Sequence, residues 1–257
     1  EGVQTNRDAL VTDGDRARLL ARLRRIAAGD PIPAAPAHLD QARARLALAA
    51  ALERDPEGRA GLSVAPLAYR PLEQRWFAPV MPLCHRPRPA LARALGHGGW
   101  ALLSVRKDRG SAPWRHVSIS PMLADNCYLS TRSSCRTRMF PACAPGGEPN
   151  LSELARELWA SATGLTLDAE QLALYALGVL SCPSWQDLHG AMLRLDYPRL
   201  PVPANAEIHT RVVQAGAALR DALWTSPGLL EHHLHGLTLE DHVSGCEARL
   251  EAGETSL

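Results

Sequence analysis

LSVAPLAYRPLEQRWFAPV, residues 62–80, marks the point where the chain stops reading as helix. Short extended runs at 64–69 and 75–80 flank Pro71, which fixes a turn between them. Upstream the pattern is helical. Asp13–Ala28 places Leu19, Leu20, Leu23 and Ile26 at helical spacing, with Asp13 or Asp15 to cap it. Gly29–Ala37 (GDPIPAAPA) breaks that helix with three prolines, and Leu39–Leu52 forms a second one. Downstream, short extended segments recur at 100–106, 115–120 and 126–130. Helices return from Leu151, over Leu151–Ala162, Asp168–Ser181, Pro183–Leu195 and Ala206–Trp224. The fold class predicted is α+β. An N-terminal helical arm (1–61) precedes a small, irregular, mostly antiparallel sheet (62–150). A C-terminal helical bundle (151–224) and a polar, fraying tail (225–257) follow.

The same stretch opens the basic part of the chain. Residues 69–140 hold 12 basic side chains against 3 acidic ones, a net +9, whereas residues 1–68 carry +1 and residues 141–257 carry −9. The overall +1 thus conceals a strong separation of charge, and a polyanion responds to the local field rather than to the sum. Trp76, Trp100, Trp114 and Tyr128 lie within the basic segment and offer flat groups for bases or sugars. Of the 28 cations 27 are Arg, mainly the mark of a GC-rich genome, yet Arg also forks to guanine and phosphate as Lys does not.

Other classes fall away. A chain of 257 residues with 46% apolar content is long enough to bury real cores and is not a disordered one. No run approaches the ~18–20 apolar residues of a membrane span. Glu1–Asp15 is polar, unlike a signal peptide, and a start at Glu1 reads as a piece of a longer protein. Six scattered cysteines read as reduced thiols, which places the protein in the cytoplasm. Cys127, Cys135 and Cys143 stand near His116, but they lack the tight C-x2–4-C pairs of zinc sites, so no metal is expected. Cys84 and His85 are neighbours pointing apart, a poor nucleophile and base. His232, His233 and His235 read as part of the polar tail.

Three blocks carry a resemblance. They are TNRDAL (Thr5–Leu10, preceded by Gly2), YRPLEQRW (Tyr69–Trp76) and ALGVLSCPSWQDLHGAMLRLDYPRLPVP (Ala176–Pro203), the last followed by GAALRDALW (Gly216–Trp224). In this order and spacing they resemble the C-terminal specificity region of type ISP restriction–modification enzymes and related adenine-N6 DNA methyltransferases. Leu72 and Glu73 replace the usual Phe-Asp, and Ser181-Cys182-Pro183 alters the Ser-Pro step. The resemblance implies recognition of double-stranded DNA by this region. It also implies that a separate upstream domain binds S-adenosylmethionine and methylates a flipped adenine. Consistently, the chain has no Asn/Asp-Pro-Pro-Tyr/Phe tetrapeptide, no cofactor-binding Gly-rich loop and no phosphate loop. No cofactor and no catalysis are expected of this chain itself. The parent is expected to be an adenine-specific methyltransferase, with or without restriction endonuclease activity.

The DNA-contacting residues expected are Arg106, Lys107, Arg109, Trp114, Arg115 and His116 in VRKDRGSAPWRH, and Arg132, Ser133, Ser134, Arg136 and Arg138 in TRSSCRTR. Arg supplies charge and base-edge forks, and Ser and Thr suit phosphates. Arg70 and Arg75 read more as structural partners of Glu73 or the backbone. Trp76 and Phe77 read as core. A second reading is a protein-interaction module of a phage-defence complex, with the acidic last third as the docking part. The two readings differ in what is lost when Arg106 and Arg109 are removed.

Overall fold

The computed structural model describes residues 1–32, 39–132 and 135–224. Ser133, Ser134, His232, His233, His235, Cys246 and the rest of the 225–257 tail lie outside them. The chain divides into two units, Glu1–Ala217 and Ala218–Leu257. The second is represented only by the end of the last helix, where Arg220 pairs with Asp221 at 2.9 Å.

The helical arm forms as its leucines dictate: α1 is Asp8–Val11, α2 Arg16–Ala28 and α3 Gln41–Arg54. Asp15 caps α2, its carboxylate accepting the Arg18 N–H at 2.8 Å, a bond worth about 1 kcal/mol. Asp13 is instead buried and clamps Arg18 and Arg22. Gly29 ends α2 at φ 122°, a conformation that favours glycine. Leu19, Leu23 and Ile26 of α2 and Ala44, Leu48 and Ala51 of α3 share one core with Val64, Val80 and Leu83. The arm and the segment after it are therefore built around the same apolar cluster. Each fully buried Leu contributes about 1.5–3 kcal/mol.

Two three-stranded antiparallel sheets form, where one irregular sheet was expected. The first has the order β1 (Thr12–Asp13), β3 (Glu73–Phe77), β2 (Ala65–Arg70). Asp13 faces Trp76 and Leu67 faces Arg75 in its register. The second has the order β5 (Val117–Ser120), β4 (Ala101–Val105), β6 (Thr137–Pro141). A short helix, α4 (Pro89–Gly96), stands between the sheets in sequence and has no counterpart in the expected elements.

Residues 126–130 are not a strand. The Asp125 carboxylate accepts the Cys127 N–H at 2.8 Å and the Asp125 carbonyl accepts the Tyr128 N–H at 3.0 Å, which curls the chain into a turn. The third strand of the second sheet is the Arg-containing Thr137–Pro141, with Thr137 and Met139 facing inward.

The last helices are α5 (Glu153–Thr163), α6 (Ala169–Ser181), α7 (Pro183–Leu193) and α8 (Ala206–Trp224). Ser152, Asp168 and Asn205 accept the backbone N–H groups that start α5, α6 and α8. A Cβ on Gly178 would come within 2.6 Å of the Val212 carbonyl, and one on Gly216 would overlap the Leu174 carbonyl. The helices α6 and α8 thus cross backbone against backbone, which explains a glycine in both ALGVL and GAALRDALW. Among the described residues, no helix is long and apolar enough to cross a membrane.

Candidate nucleic-acid interface

Register places both basic segments at one end of the second sheet. Ser104 pairs with Val117 and Val105 pairs with Thr137. The loop 106–116 and the residues leading into β6 therefore leave the sheet side by side. Lys107, Arg109, Arg115 and Arg132 are exposed there, and Arg136 is half-buried.

One carboxylate holds these segments together. Asp108 is 6% exposed, in the middle of the basic loop. It accepts the Gly110 N–H at 2.7 Å, the Cys135 thiol at 3.2 Å and an Arg194 N–H at 3.1 Å, and it lies 3.3 Å from His116 Nε2. Burial pushes the Asp108 carboxyl up, but the Gly110 N–H, the Cys135 thiol and His116 together hold it below the usual carboxylate range. The Asp108 N–H in turn donates to the Arg194 carbonyl at 3.1 Å, and Arg194 also reaches the carbonyls of Gly110 and Ala112. Arg194 caps the end of α7, so the helical part of the chain fixes the shape of the loop. The Arg132 guanidinium lies against Gly110, where a side chain on Gly110 would collide with it.

The expected site residues separate into outward and inward groups. Trp114 is the clear correction. It is 1% exposed and packs on Leu180 and Leu193, so it presents no face for stacking. The cause is tertiary: α6 and α7 supply an apolar floor that the loop sequence does not reveal. Tyr128 and Phe77 are likewise buried, and Trp76 packs against the first core beneath the Arg16 guanidinium. His116 is turned toward Asp108, with its side chain 17% exposed. Arg106 is exposed but pairs with Asp196 at 2.9 Å and lies over the Tyr197 ring at 5.7 Å. Tyr197 and Phe140, each 40% exposed and 5.7 Å apart edge to face, are the open aromatic surface that the sequence reading missed. Arg138 is on β6 and pairs with Glu1 at 3.1 Å.

Asp108, Arg194 and Asp196 were missed as organisers. The available signals were that Asp108 is the lone acid of a basic loop and that Asp196 belongs to the DYPRLP block.

Arg70 and Arg75 belong to a different place. Their guanidiniums lie over the Tyr69 ring at 4.0 and 3.9 Å. Arg75 pairs with Glu73 at 2.6 Å, and Arg70 donates to the Tyr69 carbonyl at 2.6 Å and to Asp125 at 2.8 Å. The Tyr69 hydroxyl donates to Asp8 at 2.6 Å, Thr5 also donates to Asp8, and Arg7 holds the Pro82 and Leu83 carbonyls. The TNRDAL and YRPLEQRW blocks, 61 residues apart between Asp8 and Tyr69, thus meet in one hydrogen-bonded cluster. A polar recess of about 320 Å3 opens beside it, lined among others by Asn6, Asp8, Arg70, Asp125 and Arg136. Burial pushes the Asp125 carboxyl up in spite of the Cys127 N–H and Arg70.

Cys84 is fully buried and its thiol is pushed up to about 12, chiefly by burial, which removes it as a nucleophile.

A sequence model described as the type ISP C-terminal specificity domain matches residues 1–226. No curated protein matches the chain. Among solved structures the chain is similar to the cryo-EM structure of a DrdV–DNA complex, at 20% identity and a TM-score of 0.63. It is also similar to a nuclease-deletion mutant of the type ISP restriction–modification enzyme LlaGI in complex with a DNA substrate mimic, at 15% identity and 0.55. A third is the ATP-dependent type ISP restriction–modification enzyme LlaBIII bound to DNA, at 13% identity and 0.52. Each similarity covers 86% of this chain but only 22%, 18% and 15% of the other, so the chain spans less than a quarter of these proteins. At these identities the likeness is one of fold.

Proposed function

The chain belongs to the family of type ISP C-terminal specificity domains, and from that premise we propose that it recognises a double-stranded DNA sequence for a type ISP restriction–modification enzyme. The observation that carries this reading is the end of the second sheet. Exposed Lys107, Arg109, Arg115 and Arg132 sit on two segments whose shape is fixed from beneath by Asp108 and Arg194. Affinity comes from cations on phosphates, and selectivity from side chains held rigidly enough to meet base edges. Arg106, Arg136 and the Tyr197–Phe140 pair flank this surface, whereas Arg70 and Arg75 act structurally.

In the longer protein, residues 1–61 link to an upstream methyltransferase domain. That domain uses S-adenosylmethionine to methylate the N6 atom of an extruded adenine. Residues 62–150 face the DNA and residues 151–224 buttress them. The setting is the cytoplasm.

The test is duplex-DNA binding by this chain across a range of salt, with a variant replacing Lys107, Arg109, Arg115 and Arg132 by Ala beside it. The apparent affinity falls steeply with salt, and the log–log slope shrinks by roughly 0.9 for each phosphate contact removed. Equal salt slopes for the two proteins would sink this reading.

A second reading, a protein-interaction module, is favoured by one observation: Leu154, Leu158, Leu188 and Leu195 stand 47–78% exposed on the acidic helical part. That function survives removal of the four cations.

A further inference from the structure

Asp108, His116 and Cys135 each offer one metal-ligating atom, and these atoms all lie within 4.8 Å of one another. Cys135 Sγ is 3.2 Å from one Asp108 oxygen, and His116 Nε2 is 3.3 Å from the other. With zinc bonds of about 2.0–2.3 Å, neighbouring donors in a tetrahedron stand roughly 3.3–3.7 Å apart. With one Asp108 oxygen as the ligand, one edge of the triangle is therefore close to that spacing, and the other two need a contraction of at most about 1 Å each. The three residues are scattered in sequence, Asp108 and His116 at the two ends of one loop and Cys135 in the next. This spacing resembles no paired-cysteine motif, so only the fold brings them together.

We propose that Asp108, His116 and Cys135 bind a zinc ion, with water in the fourth position, and that the ion ties the two basic segments to each other. A thiolate, an imidazole and a carboxylate form a donor set for Zn2+, whereas Mg2+ and Ca2+ prefer oxygen donors alone. As the sulfur–zinc bond forms, the Cys135 thiol gives up its proton to solvent, and neutral His116 donates its Nε2 lone pair. Asp108 keeps its bonds from the Gly110 N–H and Arg194 as outer partners that aim the carboxylate. The carboxylate and thiolate together neutralise the ion, so the Arg194 guanidinium faces no net repulsion from it. Asp108 and Cys135 are almost wholly buried, and the partly exposed side of His116 leaves room for water to reach the ion. The proposal stands independently of DNA recognition.

The experiment titrates the full chain, reduced and stripped with chelator, with Co2+ as a visible stand-in for Zn2+. One equivalent gives tetrahedral d–d bands and a thiolate-to-cobalt band, and Zn2+ bleaches both. Cys135→Ser and His116→Ala lose these bands, while Cys127→Ser, Cys143→Ser and Cys246→Ser keep them. Because Cys135→Ser risks unfolding, X-ray absorption of the zinc-loaded wild type provides a second measurement and shows one sulfur among lighter donors. A wild type without the bands, bands that survive Cys135→Ser, or a first shell without sulfur would overturn the proposal. DNA affinity is measured separately, so a failure of DNA recognition is distinguishable from a failure of metal binding.

Discussion

Replacing Asp108 by Ala separates an anchored interface from a merely basic one. The change removes an acid from the most basic segment of the chain. On charge alone it should tighten DNA binding, by an amount on the order of 1 kcal/mol at a surface-like dielectric. The structure predicts the opposite. Asp108→Ala leaves the Gly110 N–H, the Cys135 thiol, His116 and Arg194 without their shared acceptor. Removing one partner of a buried charge pair costs about 3–5 kcal/mol, a large part of the ~5–15 kcal/mol that holds a typical domain together. If the loss is confined to the loop, binding must re-order it. Re-ordering only two residues costs about 2–4 kcal/mol, a weakening of Kd by roughly 30-fold or more. The assay pairs urea unfolding followed by tryptophan fluorescence with DNA titration at fixed salt in chelator, and amide exchange at Gly110 reports local loosening. An unchanged unfolding midpoint together with tighter DNA binding would refute the anchoring argument.

Other predictions follow from single contacts. Gly216→Val drives a side chain into the Leu174 carbonyl and lowers stability by about 3 kcal/mol, the upper end of the usual overpacking cost, in a denaturant titration, whereas Gly14→Ala, with open space around it, changes little. Asp13→Asn leaves the Arg18 and Arg22 guanidiniums without their carboxylate and flattens the acid limb of the stability–pH curve. Hydrogen bonding from Arg18 is the main reason the Asp13 carboxyl lies below the usual range. Its contribution is therefore complete above the ordinary carboxylate pKa of about 4 and is lost as pH falls below it. Asp55 and Asp108, also lowered, act in the same direction, and Asp125, raised by burial, acts in the opposite one. In timed alkylation of the native protein followed by peptide mapping, exposed Cys182 reacts ahead of buried Cys84 and Cys135. Equal rates would mean that the core opens freely.

What the sequence disclosed depended on whether a feature was local. The helices α2, α3 and α5 to α8 were legible because side-chain caps at Asp15, Asp40, Ser152, Asp168 and Asn205, and Pro183 at the start of α7, coincide with apolar runs at helical spacing. β6 was not, because Arg138 and the exposed Phe140 alternate with only two inward residues, and its pairing with β4 is a long-range event. β1 is two residues long and gains its identity only from β3. α4 hides among prolines, preceded by Arg88 in a left-handed conformation. At the site, composition disclosed the cations, since charge needs no partner to be visible. It did not disclose which of them face outward, because that depends on Leu180, Leu193 and Arg194, about 65–90 residues further along the chain.

The division of the 106–116 loop into outward cations and inward anchors carries a consequence for how such a surface diversifies. Lys107 and Arg109 point to solvent on either side of the anchoring Asp108, and Arg115 does so between the inward Trp114 and His116. None of the outward side chains makes a hydrogen bond to the Asp108 carboxylate. Vocabulary and grammar are thus written at different positions. Residues 107, 109, 115 and 132 can be randomised together while the skeleton that displays them stays intact, so a single chain is a starting library from which new target preferences can be selected.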